Sequence, residues 1–486
     1  MAIKRIDSLR YAIVALLFVM ILSSCSIQAG PFKQSVQTTM PQVAVTEPVE
    51  GVVQGGQQGD SAADESAEAE DSSAADTTDN AVSTDNAADT NTDTAVGNTA
   101  ETDHDSSGSD SQATTGIEQS GDETSESDST GDGTDSESVT PIEPDSVETS
   151  VTLAAIGDVL IHRPIYREAE QKDGTYDFSS VFQLVKNTML QPDLLIANQE
   201  SMIGGKEIGL STYPSFNSPH EVGDTLKDVG VDFVTVANNH TLDRGEKAIQ
   251  SALKYWDKIG MPYTGAFKSK ADQAKIRTIT RNDITSSVLA YTYGTNGIAV
   301  PTGKDYLVNL IDMNKIEADV KQAKQVSDVV VVAMHWGTEY EDFPNKQQQQ
   351  LAQQLADLGV DIVIGNHPHV LQPPAWLEGQ DGHQTFVWYS LGNYISSQEG
   401  VKKQIGGIGY LDVVKTTVDG QSTITLRSPG FMPTYVYFNN WKDYRITPLE
   451  QTKDSELPQA NNQFNATMKH MRSSLPELSL IHPAAS

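Results

Sequence analysis

Short apolar runs alternate with helical periodicity over much of the second half of the chain. The apolar runs are bounded by glycine or polar residues, as is typical of buried strands, and cover residues 152–157, 194–198, 233–237, 287–292, 329–334, 362–365 and 386–390. The segments between them space their apolar residues as amphipathic helices do, and cover residues 179–190, 221–229, 245–259, 314–326 and 345–358. This alternation predicts parallel strands with right-handed crossovers, and so a layered α/β domain.

The pattern changes beyond the last of these strands. Residues 409–437 predict two consecutive strands with a turn at Asp419-Gly420, which indicates an antiparallel pair at the sheet edge. Residues after 449 are mostly polar and carry one weak helical pattern. We therefore divide the folded region into a domain over residues 150–448 and a C-terminal appendage over residues 449–486.

The segment over residues 25–149 has a different composition. Of the 66 acidic residues in the chain, 26 lie between positions 51 and 150, where there is no Lys or Arg. Such a segment cannot bury enough apolar surface to offset its ordering entropy, so it predicts a disordered acidic linker. The linker accounts for most of the net charge of −33, and the folded region is only mildly acidic. No basic face is indicated, so we expect no nucleic-acid partner.

Residues 1–24 have the parts of a secretory signal peptide. Three basic residues precede the apolar run of residues 11–21, which small residues follow; the run is short for a membrane-spanning helix. Cys25 is the single cysteine and stands where a bacterial lipoprotein carries its lipid. An uncleaved signal anchor is the alternative, and both place the remaining chain outside the cytoplasmic membrane. The linker is then a tether or simply a solubilising spacer.

Polar residues suited to metal binding follow five of the predicted strands. In open α/β sheets, ligands bind at the carboxyl ends of the strands, so these residues are expected to converge on one edge. Five of the ten histidines occur in these positions, although a single one would more often be a structural residue. The candidates are Asp158, His162, Glu200, Asn239, His240, Asp243, His335, His367 and His369.

The chemistry of these side chains favours particular ions. Carboxylate, imidazole and amide groups without a thiolate suit divalent ions such as Mn²⁺, Zn²⁺ or Fe²⁺. A bridging carboxylate among several histidines would hold two ions about 3.5–4 Å apart, which is the spacing of two-metal phosphoester hydrolysis. The sequence therefore predicts a divalent-metal site, with two ions, at this edge.

Six motifs in order resemble the signature of the CapA family of poly-γ-glutamate capsule synthesis proteins, which is related to the calcineurin-like metallophosphoesterases. The motifs are Gly157-Asp158, Asn198-Gln199-Glu200, Asn238-Asn239-His240, His335-Trp336-Gly337-Thr338-Glu339-Tyr340, His367-Pro368-His369-Val370 and Tyr389-Ser390-Leu391-Gly392-Asn393. The resemblance covers residues 151–436. It implies a two-sheet sandwich flanked by helices, in four αββα layers, and a membrane-associated role in the synthesis, export or anchoring of an anionic γ-linked glutamate polymer, alongside membrane synthase and export components.

The resemblance also implies a role for each matched residue. Glu200 stands where phosphoesterases place a metal-bridging aspartate. His240 matches the histidine that protonates the leaving oxygen or stabilises the transition state, and Asp243 is a candidate to orient it. The remaining matches are to metal ligands: Asp158, Asn239, His335, His367 and His369.

Two positions depart from the phosphoesterase pattern. Phosphoesterases use Asp-x-His, whereas three residues separate Asp158 from His162. Glu200 has a longer side chain than the aspartate it replaces, which alters the spacing of the metals. Three functions therefore stay open: a metal-dependent hydrolase acting on a phosphoester or a polymer amide, a non-catalytic component that binds polymer carboxylates through metal, and a wall-associated adhesion module with a decayed site.

Overall fold

Two β-sheets lie face to face between helices in the computed structural model, which describes residues 146–485. Cys25, the predicted signal peptide and nearly all of the predicted linker lie outside the described residues. The strands are β1 (Ser146–Val159), β2 (Leu194–Gln199), β3 (Phe233–Thr235), β4 (Tyr263–Thr264), β5 (Arg277–Arg281), β6 (Ile284–Thr292), β7 (Val329–His335), β8 (Ile362–Asn366), β9 (Leu371–Gln372), β10 (Ala375–Glu378), β11 (Gln384–Trp388), β12 (Ser390–Leu391), β13 (Asn393–Ile395), β14 (Ile405–Val418), β15 (Gln421–Asn439), β16 (Lys442–Pro448) and β17 (Ser479–Leu480).

Ten α-helices connect or cover these strands in the described part of the chain. They are α1 (Arg163–Ala169), α2 (Ser179–Phe182), α3 (Lys186–Met189), α4 (Glu221–Asp228), α5 (Gly245–Ile259), α6 (Lys270–Gln273), α7 (Met313–Ala323), α8 (Lys346–Asp357), α9 (Val401–Gln404) and α10 (Ala460–Met471). Among residues 146–485, no helix has both the length and the apolar character needed to cross a membrane.

The first sheet has nine strands, seven of them in the order β16-β15-β14-β1-β2-β3-β4, with β13 beside β1 and β17 beside β15. Strands β1 to β4 are parallel, and β14 to β16 add antiparallel neighbours. The second sheet has the order β10-β11-β8-β7-β6-β5, and its central strands β11, β8, β7 and β6 are parallel. The predicted parallel pairing is confirmed.

Alternation along the buried strands creates three hydrophobic clusters. In β1, Leu153 and Ala155 face the cluster between the two sheets, whereas Ala154 and Ile156 face a cluster that includes α1 to α5. The third cluster joins the outer face of the second sheet to α7 and α8. Successive strand residues point to opposite faces, so each sheet is apolar on both sides. The predicted four-layer αββα architecture is confirmed.

Two details differ from the expectations. The hairpin of β14 and β15 forms, and both turn residues, Asp419 and Gly420, have positive φ, as such a turn requires. It is not the sheet edge, because β14 pairs with β1 and β16 lies outside β15. The single helix predicted over residues 179–190 is two short helices, α2 and α3, where β-branched Val181 and Val185 lower helix propensity.

The domain extends beyond the predicted bounds at both ends. Strand β1 begins at Ser146, so four residues of the predicted linker pair with β14. The segment predicted as an appendage packs against the domain: β17 pairs with β15, and Leu457, Met471 and Leu475 are buried in the cluster between the sheets.

Candidate metal centre

The carboxyl ends of five parallel strands, three from the first sheet and two from the second, meet at one edge of the sandwich. This edge is where open α/β sheets bind ligands, and the sharp turns after each strand place polar side chains there. The side chains are Asp158 at the end of β1, Glu200 after β2, Asn239 and His240 after β3, His335 at the end of β7, and His367 and His369 after β8.

One ligand group combines both sheets. Asp158, Glu200 and His369 have ligand atoms within 4.8 Å of one another, and all three are buried. His369 Nδ1 lies 3.0 Å from Asp158 Oδ2, and His369 Nε2 lies 3.8 Å from Glu200 Oε1. On its other oxygen Asp158 accepts a hydrogen bond of 2.8 Å from Asn198 Nδ2, which fixes the orientation of the carboxylate.

A second ligand group shares Glu200 with the first. Glu200, His335 and His367 also have ligand atoms within 4.8 Å of one another. His335 Nε2 lies 3.5 Å from Glu200 Oε1 and 3.0 Å from Asn239 Oδ1, so the amide oxygen of Asn239 joins this group. Two three-residue groups of possible metal ligands thus have the carboxylate of Glu200 in common.

Several buried polar atoms of the site have no hydrogen-bond partner in the described part of the chain and are suited to binding a cation. Among the described residues, both carboxylate oxygens of Glu200 and Nδ1 of His335 and of His367 are buried without a hydrogen-bond partner. A buried carboxylate without a partner is costly. A divalent ion would satisfy these atoms, and the donor set of carboxylate, imidazole and amide oxygen matches borderline to hard ions.

The two buried carboxylates have opposite pKa shifts. Burial and the nearby Asp158 charge raise the pKa of Glu200 to about 8. Burial also acts to raise the pKa of Asp158, but the hydrogen bond from His369 and its charge hold that pKa below the usual range. Burial acts to lower the pKa of His369, but Glu200 and Asp158 outweigh it and raise the pKa to about 9.

The two other imidazoles are held neutral. Burial lowers the pKa of His335 to about 3, against the opposing charge of Asp158. Burial, together with His335 and His369, lowers the pKa of His367 well below its usual range. Neutral imidazole is the form that binds metal, so these residues are ready to act as ligands at neutral pH.

The turn after β8 holds its histidines in a strained backbone. His367 has φ of 98° and His369 has φ of 58°, a region that costs residues other than glycine about 1–3 kcal/mol each. Two backbone hydrogen bonds hold the turn in place. Trp336 N donates to Asn366 O at 3.1 Å, and Tyr340 N donates to Pro368 O at 2.8 Å. Strain of this kind is concentrated at functional sites.

His240 stands beside these groups with a partner of its own. Its Nδ1 lies 2.7 Å from Asp243 Oδ2, and the same oxygen accepts a 2.7 Å hydrogen bond from Phe216 N. The Phe216 ring packs edge-on against the imidazole, with centroids 4.7 Å apart. Asp243 therefore fixes the ring and its tautomer, with Nε2 as the other nitrogen.

The structure does not bring His162 into either ligand group. Its ring packs edge-on against Phe216, with centroids 5.0 Å apart. Its Nδ1 lies 3.1 Å from Leu160 O and 3.3 Å from Ser397 N, and burial lowers its pKa to about 4. The extra residues after Asp158 carry His162 past the ligand position, where Leu160 stands instead.

Three residues near the site had no assigned role in the sequence. Asn198 supports Asp158, and Asn296 Oδ1 accepts a 3.3 Å hydrogen bond from Asn239 Nδ2. Glu339 forms a third potential ligand group with His367 and His369. Asn198 lies near the end of β2 and Glu339 follows β7, so the rule that found the other candidates could have found them. Asn296 lies in an irregular loop without a sequence signal.

The four-layer αββα sandwich, with carboxylate and histidine side chains gathered at its strand ends, defines a layered α/β protein with a candidate metal centre. A family described as "Bacterial capsule synthesis protein PGA_cap" matches residues 152–398, just over half of the 486-residue chain. The chain belongs to this capsule synthesis family, as its motifs indicated.

Two relatives carry matching names. "PGA biosynthesis protein CapA" of Bacillus subtilis is 31% identical over 50% of this chain and 62% of its own length. "Capsule biosynthesis protein CapA" of Bacillus anthracis is 28% identical over 63% of this chain and 77% of its own length. The match to the first relative thus spans less than two thirds of that protein. Among solved structures, the calcineurin-like phosphoesterase YfkN from Bacillus subtilis is 13% identical, with a TM-score of 0.32 over 67% of this chain and 98% of that one.

Proposed function

We propose that the protein is a divalent-metal hydrolase located in the cell envelope. It acts in the synthesis, export or anchoring of a poly-γ-glutamate-type polymer. The observation that carries this proposal is the pair of buried ligand groups joined by Glu200. A purely structural metal site would not need a separate acid, and here the pair of His240 and Asp243 lies beside the ligands. Two ions of Mn²⁺, Zn²⁺ or Fe²⁺ are the proposed cofactors.

The ligands divide between the two ions. Asp158, Glu200 and His369 would hold one ion, and Glu200, Asn239, His335 and His367 the other. Divalent ions in such a site activate water and neutralise the charge that develops on a phosphoester or amide. The protein supplies a fixed, largely buried set of ligands, so little reorganisation is needed during reaction.

His240 is the proposed general acid. Asp243 binds Nδ1, which leaves Nε2 to carry the proton that passes to the leaving oxygen or nitrogen. Phe216 restricts the ring on one side and its backbone NH holds Asp243. The carboxylate therefore stabilises the protonated imidazole before transfer and keeps it oriented.

The test compares the metal-loaded full chain with His240→Ala. Hydrolysis of bis(p-nitrophenyl) phosphate and cleavage of poly-γ-glutamate are measured, with metal content determined on the same samples. We expect His240→Ala to keep its metal and to lose about 10²- to 10⁴-fold in turnover, the usual contribution of a general acid. Metal bound by the wild-type chain without turnover on either substrate would contradict a hydrolase.

A non-catalytic, metal-dependent polymer-binding component is the second candidate. This candidate is favoured by Leu160, which stands where the Asp-x-His pattern of phosphoesterases has a histidine ligand. In a deletion strain that has lost surface polymer, variants His240→Ala and Glu200→Ala separate the two functions. Restoration by His240→Ala but not by Glu200→Ala supports binding without catalysis; failure of both supports the hydrolase.

The proposed location is the outer face of the cytoplasmic membrane, with diacylglyceryl Cys25 as the anchor. The support is the signal-like composition of residues 1–24 and the position of the single cysteine. The proposed partners are the anionic polymer and its membrane synthase and export components. Cys25→Ser should abolish incorporation of radiolabelled palmitate, while the wild-type chain incorporates it; equal labelling of both would contradict the anchor.

A further inference from the structure

Glu339 contributes a carboxylate to the rim of the metal centre. One of its oxygens lies within 4.8 Å of ligand atoms of both His367 and His369. Glu339 is exposed, whereas the two histidines are buried. These histidines belong to different ligand groups, so Glu339 approaches both candidate ion positions from the solvent side, while the fully buried Glu200 approaches them from within the protein.

The loop after β7 holds Glu339 in this place. Gly337 has φ of 87° and Tyr340 has φ of 68°, which turns the chain sharply on both sides of Glu339. Tyr340 N donates to Pro368 O at 2.8 Å, and so binds this loop directly to the turn between the two histidines. Asn345 Nδ2 donates to Thr338 Oγ1 at 3.2 Å, which ties the loop to the start of α8.

The same centre lacks the imidazole of the Asp-x-His pattern. Leu160 stands at the position of the histidine in Asp-x-His, and His162 is directed to Leu160 O and Ser397 N. The group of Asp158, Glu200 and His369 has three ligands, whereas protein sites for such ions commonly use four or more. A carboxylate on the open side would fill part of this gap.

We propose that Glu339 is a further metal ligand, supplied by the loop after β7 in place of the missing imidazole. This inference rests on the proposed metal site. A third carboxylate beside Asp158 and Glu200 lowers the net positive charge of a loaded two-ion centre by one. It also adds a hard oxygen ligand, which favours Mn²⁺ or Fe²⁺ over softer ions.

The test is titration of the metal-free full chain with Co²⁺, followed by calorimetry and by the visible absorption of bound cobalt. Glu339→Gln removes the charge and keeps the size. Glu341→Gln is the matched control, because it makes the same change two residues away on the same loop, outside the ligand groups among the described residues. We expect Glu339→Gln to bind at least one cobalt ion about tenfold or more weakly and to change its absorption spectrum, and Glu341→Gln to match the wild type.

The outcomes are distinguishable. The metal-free variants should unfold at the wild-type temperature, because Glu339 is exposed, so a loss of affinity reports on ligation rather than folding. Equal affinity and an equal spectrum for Glu339→Gln and Glu341→Gln would overturn the role of Glu339 while leaving the proposed function intact. A wild-type chain that binds no cobalt would overturn the metal site and this inference together.

Discussion

Asp158 and Glu200, 42 positions apart in the chain, show how neighbouring groups determine whether a carboxyl group is ionised. Asp158 and Glu200 are both fully buried. Asp158 accepts one hydrogen bond from Asn198 and is paired with His369, so it stays ionised. Glu200 has no hydrogen-bond partner among the described residues, so it binds a proton until a cation replaces that proton.

This difference predicts that metal binding releases protons. In the metal-free site the pKa of Glu200 is raised to about 8 and that of His369 to about 9, so at pH 7 this interacting pair holds at least one proton that metal binding must displace. The apparent affinity for the metal should therefore increase as the pH rises from 6 to 9. Below pH 8 this increase should be up to about two logarithmic units per pH unit. Calorimetric titrations in buffers of different ionisation enthalpy measure the protons released.

A variant separates this effect from general pH dependence. Glu200→Gln removes one titrating group, so the number of protons released at pH 7 should fall by about one, in addition to the loss of affinity. If metal binding to the wild-type chain releases no protons, Glu200 and His369 are already deprotonated. That result would contradict the assigned charges.

Asp243 acts by orienting His240, which leads to a separate prediction. Asp243→Asn should lower turnover by about 10²- to 10⁴-fold, because an amide cannot stabilise the protonated imidazole and favours the wrong tautomer. Metal content and KM should change little, since Asp243 is not in a ligand group among the described residues. Turnover within a factor of two of the wild type, measured on bis(p-nitrophenyl) phosphate, would contradict the positioning role.

At the scale of elements, the carboxyl end of β1 depends on close approach of two backbone segments. Gly157 directly precedes Asp158, and a Cβ at Gly157 would overlap the carbonyl of Gly392. The neighbouring Asp158 N donates to that same carbonyl at 2.9 Å. The absence of a side chain thus allows β1 and the loop before β13 to lie close enough to position the first ligand.

Gly157→Ala should therefore destabilise the domain. We expect a loss of about 1–3 kcal/mol or more in the free energy of unfolding, as for other overpacked sites, together with weaker metal binding. Gly294→Ala is the control, since its Cβ would meet no atom within 4 Å and its φ is not in the left-handed region. Equal midpoints of denaturant unfolding for the two variants would contradict this account.

The strongly periodic elements were predictable from sequence, and the short ones were not. The predicted helix over residues 245–259 coincides with α5, whose buried face and left-handed C-terminal Gly260 give clear boundaries. The short helices α2 and α3 have no side-chain cap, so packing decides where they begin and end. Strand β16 pairs with β15 across a tight turn, but it begins with the polar residues Lys442 and Asp443 and so lacks the apolar pattern that predicts a strand.

At the scale of the whole molecule, the residues after Pro448 complete the core between the sheets. Leu457, Met468, Met471 and Leu475 are buried there with residues of both sheets. These residues are scattered among polar ones, which is why the sequence indicated only an appendage. Burial of each such side chain contributes about 1.5–3 kcal/mol.

A chain ending at Pro448 should not fold stably. Loss of several buried side chains would remove stabilisation comparable to the typical net stability of a domain, about 5–15 kcal/mol. Circular dichroism and thermal unfolding of the truncated and full chains measure this directly. A truncated chain with an unchanged unfolding temperature would show that the segment is independent of the core.

The candidate site could be predicted to the extent that it follows the strands. Asp158, Glu200 and His335 lie where buried strands end, and sheet topology alone brings them together. Phe216 comes from an irregular loop, so its place beside His240 appears only in the folded structure. His162 follows a strand too, but the path of the chain after Leu160 directs it elsewhere, and sequence spacing does not encode that path.

The most direct test of the account is the metal stoichiometry of the full chain. After reconstitution with Mn²⁺, Zn²⁺ or Fe²⁺ and removal of free ions, elemental analysis should give two equivalents per chain, one for each ligand group. His335→Ala should retain about one, and Glu200→Ala fewer, because Glu200 is common to both groups. A wild-type chain that retains none of the three metals would contradict the central claim.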